Sequence, residues 1–201
     1  MVMRKTIITV PNEILRAVSK AINTKKDLAG VTQHIADLEE TLEKKRAPRG
    51  VGLSSPQIGE NLRVFSTLLP SSANTLDGGR PTADDEPALR TYINPIIMAH
   101  SDDTTFGPDP EEPILEGCLS IPGIYGPVPR YSWVKLAFTT PDLEQHEETF
   151  FGFYARVIQH EYDHLDGVLF VDYIKKHKLP LYQSKGDKME EIDRSIISTL
   201  G

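Results

Sequence analysis

Length, composition and charge already exclude several classes of protein. The chain has 201 residues, 39% of them hydrophobic, and a net charge of −7. This length suits one domain, which we place across residues 1–201. The acidic balance argues against specific DNA binding, and no apolar run reaches the ~18 residues of a membrane span. A single cysteine, Cys118, cannot form an intramolecular disulfide, which favours a reducing compartment and leaves a thiol free for chemistry.

The first third of the chain predicts a short strand and two helices. Residues 7–10 are all β-branched and predict a strand. A brief helix is expected from Asn12, and Thr32 has the character of an N-cap that starts a clearer amphipathic helix. The apolar positions expected to face inward in this second helix are Ile35, Leu38 and Leu42.

The middle of the chain predicts strands separated by irregular segments. Residues 62–69 read as a strand, and the polar, glycine-rich residues 70–90 read as an exposed loop without catalytic content. Residues 92–97 suggest another strand, interrupted at Pro95. Residues 107–130 hold six prolines, so we expect no helix there and at best an irregular edge strand.

The last third predicts a strand pair and a terminal helix. Residues 133–139 and 147–151 should pair across a Pro-Asp turn. Residues 168–171 should return to extended structure. The tail, 176–201, should include an amphipathic helix over 186–200.

A His-Glu-x-x-His motif lies between these elements. No proline or glycine interrupts residues 153–166. Gly167 follows at the position after the helix, where a left-handed C-terminal cap favours glycine. On such a helix His160 and His164 share one face and can bind a common metal ion, which Glu161 would approach without being a ligand. Because the motif also arises by chance on ordinary surface helices, a metal site requires a third ligand.

Three classes of metal enzyme differ in that third ligand. The metzincin pattern would place a histidine at Phe170, which cannot bind a metal. Thermolysin-like enzymes use a later glutamate, but Glu190 and Glu191 lie in a tail without the matching pattern. Cys118 would complete a Cys-His-His site with an open fourth position, as catalytic sites have. The alternative for Cys118 is a buried apolar thiol.

A glycine-rich stretch lies earlier, at residues 50–59. It matches neither a phosphate loop nor a dinucleotide fingerprint, and its simplest interpretation is a tight turn before a strand. Gln57 is the residue of interest, because a side-chain amide can donate a hydrogen bond to a developing oxyanion.

Together, three separated blocks resemble the motifs of the peptide deformylases. Residues 50–57 read Gly-Val-Gly-Leu-Ser-Ser-Pro-Gln, residues 116–120 read Glu-Gly-Cys-Leu-Ser, and residues 159–164 read Gln-His-Glu-Tyr-Asp-His. The order and spacing fit over most of residues 5–175. One departure is Ser54-Ser55, where the family motif has two alanines.

This resemblance implies a fold, a reaction and roles for individual residues. The fold would be α+β, a mostly antiparallel sheet around a central metal-binding helix. The reaction would be metal-dependent hydrolysis of the N-formyl group from formyl-methionine on newly synthesised polypeptides, releasing formate. The metal ligands would be Cys118, His160 and His164. Glu161 would handle the proton, while Gln57 and the backbone N–H of Leu119 would stabilise the oxyanion. Glu116 would pair with Arg130.

The resemblance also implies a substrate pocket, a metal and a setting. The methionine pocket would be lined by Val51, Gly52, Ile114 and Val157. The metal would be Fe²⁺, with Zn²⁺, Ni²⁺ or Co²⁺ as substitutes. Partners would be formyl-methionyl nascent peptides and the ribosome near its exit tunnel, with no membrane. The simplest location is a bacterial cytoplasm, and the alternatives are an organelle or a phage-encoded copy.

Two other functions stay open at this stage. A zinc endopeptidase would share the helix but needs a third histidine or glutamate. A non-catalytic, metal-stabilised binding protein at the ribosome would need neither Glu161 nor Gln57, and the presence of both argues against it.

Overall fold

A computed structural model describes residues 2–23, 28–75, 86–186 and 188–199. The α-helices in these ranges are α1 (Leu28–Glu43), α2 (Gly152–Leu165) and α3 (Phe170–His177). The strands are β1 (Gly52–Ser54), β2 (Val64–Leu69), β3 (Ala88–His100), β4 (Thr104–Thr105), β5 (Leu115–Cys118), β6 (Ile121–Pro127), β7 (Arg130–Tyr131), β8 (Trp133–Thr139), β9 (Gln145–Phe151), β10 (Leu181–Lys185) and β11 (Lys188–Ile192). Short 3₁₀ helices cover Glu13–Arg16, Ser55–Ile58, Ser71–Ala73 and Arg194–Thr199.

The strands form two larger sheets and one small one. A five-stranded sheet has the order β1-β2-β3-β8-β9, a four-stranded sheet has the order β11-β10-β6-β5, and β4 pairs with β7. All pairings between these strands are antiparallel. Helix α2 packs on the five-stranded sheet, and α3 packs against β6 of the other sheet. The α+β architecture around a central helix is therefore confirmed.

An aromatic core fixes α2 on the five-stranded sheet. Phe65 on β2 stacks on Tyr92 of β3 with ring centroids 4.8 Å apart. Phe150 at the end of β9 stacks on Tyr154 of α2 at 5.1 Å. All four side chains are at most 2% exposed, and burying each one stabilises the fold by roughly 1.5–3 kcal/mol. This packing sets the rotation of α2 and hence the direction of its histidines.

Two further cores hold the segments that surround α2. Leu38 and Leu42 of α1 pack with Leu53 and Val64 of β1 and β2. A separate cluster joins α3, β6 and β10, with Phe170 among its buried members. The chain segments that carry Gln57 and Cys118 are thus anchored on either side of α2.

Some predictions for the first third were wrong. Residues 7–10 form no strand; they are a connecting segment in which the Val10 N–H donates to the carbonyl of Ser120. The expected helix after Asn12 is only the short 3₁₀ helix Glu13–Arg16. Helix α1 already includes Leu28, so Thr32 lies inside it and is not its N-cap.

The strands of the middle region were largely predicted, but one segment was misread. Strand β3 contains Pro95 and shows a register shift there, as an interrupted strand should. It begins at Ala88, so the loop predicted for 70–90 ends earlier than expected; residues 76–85 of that loop lie outside the described residues.

The proline-rich residues 107–130 form no helix, as predicted, and they include one edge strand and one internal strand. They contain β5 and β6, and β6 lies between β5 and β10. Pro122 and Pro127 fit there because β10 pairs only with Ile124 and Tyr125 of β6, so neither proline has to donate to β10.

For the C-terminal region, the predicted types of secondary structure were wrong. Residues 168–171 are not a strand, because α3 starts at Phe170. In place of a helix over 186–200, the tail forms the β10–β11 hairpin, turning at Gly186 (φ +61°), followed by the 3₁₀ helix Arg194–Thr199. Tertiary pairing of β10 with β6 overrides the helical periodicity, and Met189, one of the apolar residues that form this periodicity, is 47% exposed. Residues 187, 200 and 201 lie outside the described residues.

Candidate active site

Helix α2 presents two histidines on one face. The rings of His160 and His164 have centroids 5.0 Å apart and planes at 79°. The helix ends as predicted, with Gly167 in the left-handed region at φ +71°. A Cβ at Gly167 would overlap the backbone carbonyl of Arg16, so glycine is required there for two reasons.

Cys118, at the end of β5, completes the cluster. Its Sγ lies 3.2 Å from His164 Nε2, and the ligand atoms of Cys118, His160 and His164 all lie within 4.8 Å of one another. The N–H of Ser120 donates to Sγ at 3.4 Å. The structure therefore brings together the three residues that the sequence analysis selected as metal ligands.

The spacing and chemistry of this cluster fit a tetrahedral metal ion. With ~2.3 Å to sulfur and ~2.0 Å to nitrogen, an ion would hold those two atoms about 3.5 Å apart. His160 Nδ1 donates to the Glu116 carboxylate at 3.1 Å, which leaves Nε2 for the metal. Burial lowers the pKa of His164 well below its ordinary value, in the direction of the neutral imidazole that a metal requires.

A buried ion network supports His160 from behind. Arg130 donates twice to Glu116, from Nε and Nη2, both at 2.9 Å. Arg156 Nη1 donates to the same carboxylate at 2.9 Å. Although burial alone would raise it, Arg130 and His160 hold the pKa of Glu116 well below its usual range. The expected Glu116–Arg130 pair is confirmed, and it keeps the partner of His160 ionised.

The network continues to the other side of Arg130. Asp163 accepts a hydrogen bond from Arg130 Nη1 and another from the Tyr173 hydroxyl at 3.3 Å. Arg130 also lies over the Tyr173 ring, 4.8 Å from its centroid. The residues bracing the site therefore come from β5, β7, α2 and α3 together.

Glu161 differs from every other carboxylate near the site. It is 3% exposed, and its Oε2 has no hydrogen-bond partner among the described residues. Burial raises the pKa of Glu161 to about 7. A carboxyl group with this pKa can both accept and return a proton near neutral pH.

Gln57 is held in a single orientation beside the cluster. Its Oε1 accepts from the N–H of Ser54 at 2.8 Å and from the Ser54 hydroxyl at 3.0 Å. Its Nε2 therefore points the other way and donates to Cys118 Sγ at 3.5 Å and to Ser120 Oγ at 3.2 Å. An amide N–H thus faces the space beside the cysteine, where an oxyanion donor would be needed.

A cavity of about 340 Å³ opens above these groups. His160, Glu161, Cys118 and Gln57 line its floor together with Leu119. The predicted methionine-pocket residues also line it: Val51, Gly52, Ile114 and Val157. Gly52 contributes by lacking a side chain, because a Cβ there would overlap the Glu161 carboxylate.

Sequence reasoning missed several residues of this site. Arg156 lies one helical turn before His160, so helical spacing could have placed it on the same face. Phe153, Lys45 and Arg49 also line the cavity. Arg49 directly precedes the first motif block and Phe153 lies on the motif helix, so nearness to the motifs was the available signal for these two. The contact of Ser54 with Gln57 could have been suspected from their spacing at the start of a short helix.

The fold and the site define a class of protein. A Cys-His-His cluster with an adjacent, unpartnered carboxyl at the floor of a cavity belongs to a metal-dependent amide hydrolase. The third ligand-bearing residue is Cys118, whereas the endopeptidase alternative required a histidine or glutamate. No described helix is long and apolar enough to cross a membrane.

Comparison with known proteins agrees with this class. A family model described as polypeptide deformylase matches residues 4–179. A peptide deformylase from Cytophaga hutchinsonii is 37% identical over 179 residues, which are 89% of this chain and 86% of the relative. Peptide deformylase 2 of a Nostoc species is 36% identical over 171 residues, 85% of this chain and 86% of the relative.

Solved structures give the same result. A Met-Ala-Ser-bound class I type b peptide deformylase from Acinetobacter baumannii superposes with a TM-score of 0.70 at 28% identity, covering 87% of this chain and 100% of that one. A probable peptide deformylase from Synechococcus phage S-SSM7 gives 0.66 at 30% identity, covering 84% and 99%.

The chain belongs to the peptide deformylase family. It is a metal-dependent amide hydrolase that acts on formylated peptides, with a Cys-His-His metal-binding group. A purely non-catalytic role as a binding protein is thereby set aside.

Proposed function

We propose that the chain removes the formyl group from the N-terminal formyl-methionine of newly synthesised polypeptides and releases formate. The observation that carries this proposal is the buried Glu161 carboxyl, whose Oε2 has no hydrogen-bond partner among the described residues, beside the Cys118-His160-His164 cluster in the lining of a cavity. A structural metal site would need neither a free carboxyl nor access from outside.

Cys118, His160 and His164 hold the metal in this proposal. When bound, the metal supplies a Lewis acid that polarises the formyl group and makes a water molecule nucleophilic at neutral pH. Glu161 accepts a proton from water as the water oxygen bonds to the formyl carbon, and it later delivers that proton to the amine nitrogen as the carbon–nitrogen bond breaks. Gln57 Nε2 and the Leu119 N–H donate to the oxygen on which charge builds.

The metal itself is proposed to be Fe²⁺, with Zn²⁺, Ni²⁺ or Co²⁺ able to replace it. One thiolate with two imidazoles suits each of these ions. The Cys118 thiol is the oxidisable ligand of the set, so aerobic handling should cost metal content as well as activity. Metal analysis after aerobic and anaerobic purification separates these effects.

The methionine side chain is proposed to enter the apolar part of the cavity. Val51, Ile114 and Val157 supply aliphatic surface there, and Gly52 lines the same cavity without adding a side chain. Phe153 adds an aromatic wall. A pocket of this kind distinguishes methionine from short side chains by the apolar surface that is buried.

The setting follows from the substrate. Formylated N-termini emerge at the ribosome exit tunnel, so we propose that the chain meets them there, in a bacterial cytoplasm, and that residues 1–201 form a single catalytic domain. Co-sedimentation with ribosomes carrying a formyl-methionyl nascent chain tests the ribosome contact. Release of the protein by high salt without loss of peptide hydrolysis would separate that contact from catalysis.

The reaction is tested by formate release from formyl-Met-Ala-Ser amide, with anaerobically purified, Fe²⁺-loaded protein. Acetyl-Met-Ala-Ser amide and formyl-Gly-Ala-Ser amide are the matched controls for the formyl group and for the methionine pocket. Gln57→Ala should lower kcat by about 10²–10³. No formate from well-metallated protein would refute the proposed reaction, and full activity of Gln57→Ala would refute only the oxyanion role.

A further inference from the structure

Two adjacent serines occupy the place of the two alanines in the family motif, and they do different things. Ser54 and Ser55 are both 0% exposed. The Ser54 hydroxyl donates to Gln57 Oε1 at 3.0 Å. The Ser55 hydroxyl donates to the Val64 carbonyl at 3.0 Å and accepts from His34 on α1 at 2.7 Å. Only Ser54 therefore touches the amide that faces the metal cluster.

The Ser54 contact adds to a bond that the backbone already makes. The Ser54 N–H donates to the same Oε1 at 2.8 Å, so the amide orientation does not depend on the hydroxyl alone. A second donor on Oε1 draws electron density through the amide and makes the Nε2 hydrogens stronger donors. It also restricts rotation of the Gln57 side chain, which lies 3.2 Å from Ser120 on its other side.

We propose that Ser54 is a positioning residue for the reaction, acting through Gln57. The Ser54 hydroxyl holds and polarises the Gln57 amide, so that Nε2 is ready for the developing oxyanion before substrate binds. This inference rests on the proposed oxyanion role of Gln57. The effect of the Ser54 hydroxyl should therefore fall on kcat and not on KM. An oxyanion forms only in the transition state, so the Gln57 hydrogen bond stabilises the bound ground-state peptide little.

Ser54→Ala tests this inference, and Ser55→Ala is its matched control. Both variants restore the residue that the family motif has at that position. Ser54→Ala should lower kcat about 3- to 10-fold at unchanged KM, a fraction of the loss from removing a direct donor. Ser55→Ala should lower the thermal midpoint, because His34 loses its acceptor, while kcat per bound metal stays at the wild-type value.

A double-mutant cycle excludes a merely structural effect. In a Gln57→Ala background, adding Ser54→Ala should change kcat by no more than about twofold, because the amide through which Ser54 acts is absent. Equal losses in both backgrounds, or a wild-type kcat for Ser54→Ala, would overturn the role of Ser54. A wild-type kcat for Gln57→Ala would instead overturn the proposed oxyanion role, so the two failures are distinguishable.

A separate observation concerns the mouth of the cavity. The segment after α1 carries four cations, Lys44, Lys45, Arg46 and Arg49, in a chain whose net charge is −7. Lys45 and Arg49 line the cavity, whereas Lys44 and Arg46 do not. None of the four forms an ion pair with another described residue. The acidic side chains that line the cavity are Glu116, which is neutralised by two arginines, and Glu161 on the floor.

We infer that this rim, defined as Lys45 and Arg49, favours formyl-peptides with an aspartate or glutamate shortly after the methionine. Lys45 and Arg49 line the same cavity as the apolar residues proposed for the methionine. Arg49 forms no ion pair with another described residue, and an arginine can bind a carboxylate with two hydrogen bonds. The inference deepens the proposed function and rests on it. Exposed ion pairs are weak, so the preference should be modest and sensitive to salt.

The test compares kcat/KM for amide-capped formyl-Met-Ala-Asp, formyl-Met-Ala-Asn and formyl-Met-Ala-Lys; the amide removes the terminal carboxylate as a rival ligand. At low salt the aspartate peptide should exceed the lysine peptide by about 2- to 5-fold, through KM. Arg49→Ala should abolish the difference and Arg46→Ala should keep it. Equal rates for all three peptides, or the same effect from both variants, would overturn the assignment. No hydrolysis of the neutral peptide would instead refute the proposed function.

Discussion

The Glu161 side chain contacts Gly52 and occupies the space that a Cβ would fill if position 52 held any other residue. A Cβ at position 52 would lie 2.8 Å from both Cγ and Cδ of Glu161. Glycine is needed here for space, because Gly52 is in a strand and has no unusual backbone conformation. The glycine of the first motif thus determines how closely the proton-transferring carboxyl approaches the cavity floor.

Gly52→Ala should therefore impair turnover without removing a ligand. A displacement of the Glu161 carboxyl by about 1 Å is expected to cost on the order of 10² in kcat. Formate release per bound metal measures this effect. Gly50→Ala is the comparison, because its Cβ would meet only side-chain ends of Leu42 and Leu119 and should cost far less. Equal losses in both variants would argue against the Glu161 contact as the cause.

Glu161→Gln should separate activity from stability. The amide keeps the shape of the side chain but cannot accept the proton of water, so kcat should fall by at least ~10²–10⁴. The buried carboxyl lacks a partner for Oε2, so the folded protein should be as stable as the wild type or more so. Metal content and thermal midpoint are measured beside formate release. Turnover close to that of the wild type would rule out the general-base role.

Cys118→Ser should lose the metal. A serine hydroxyl does not ionise near neutral pH, so one of the three ligands disappears and metal affinity should drop by orders of magnitude. Metal analysis after dialysis is the direct readout, independent of activity. His146→Ala, which removes an exposed histidine on β9, should retain the metal. A Cys118→Ser protein that kept its metal would point to a different third ligand.

The buried Glu116–Arg130 pair should matter for both the fold and the metal. Glu116→Gln removes the carboxylate charge that both Arg130 and Arg156 contact, and loss of one partner of a buried ion pair typically costs about 3–5 kcal/mol of unfolding free energy. It also weakens the hydrogen bond that orients His160, so metal affinity should fall about 10- to 100-fold. Denaturant unfolding and metal titration measure the two effects.

An exposed ion pair supplies the control for that experiment. Glu147 pairs with Lys135 on the outer face of the five-stranded sheet, and both side chains are more than 40% exposed. Glu147→Gln should change the unfolding free energy by only ~0–1 kcal/mol and leave metal affinity unaltered. Similar costs for Glu116→Gln and Glu147→Gln would contradict the structural role of the buried network.

His34 should make stability depend on pH. Burial lowers the pKa of His34 below its ordinary value of 6.5, so the folded protein holds it neutral, with Nε2–H donating to Ser55. The unfolded chain binds the proton more readily, so stability is fully present above pH 6.5 and is lost as the pH falls toward the folded pKa. The slope from this one group is at most about 1.4 kcal/mol per pH unit.

Urea unfolding between pH 8 and pH 5.5 measures this slope. His34→Gln, which cannot titrate, should show a shallower loss of stability with acid than the wild type. His146→Gln removes an exposed histidine and should keep the wild-type slope. If His34→Gln and wild type lost stability in parallel, the proton would be taken up elsewhere.

Part of this fold and site was predictable because the signal was local. The run without proline or glycine before Gly167 encodes a helix and its end, and spacing by four places His160 and His164 on one face. Strand β8 was predicted with its observed bounds, since its alternating side chains match its alternating burial. These features depend only on the types and spacing of residues that are close together in the sequence.

The errors arose where partners distant in sequence decide the structure. The C-terminal residues have helical apolar spacing, yet β10 pairs with β6 and turns the tail into a hairpin. The prolines of 107–130 suggested at best an edge strand, which β5 is, but β6 lies inside the sheet because its prolines fall outside the short pairing with β10. Neither pairing partner is visible in the local sequence.

By itself the sequence determined the ligand-bearing residue types, the helix that presents two of them, and the motif blocks that indicate the family. The tertiary structure alone decided that Cys118 lies 3.2 Å from His164, although 46 residues separate them along the chain. It also decided that Ser54, Arg156 and Asp163 belong to the site. The physical reason is that periodicity and turn chemistry act over a few residues. The distance between β5 and α2, by contrast, is set by the cores that pack the two sheets and α1 around that helix.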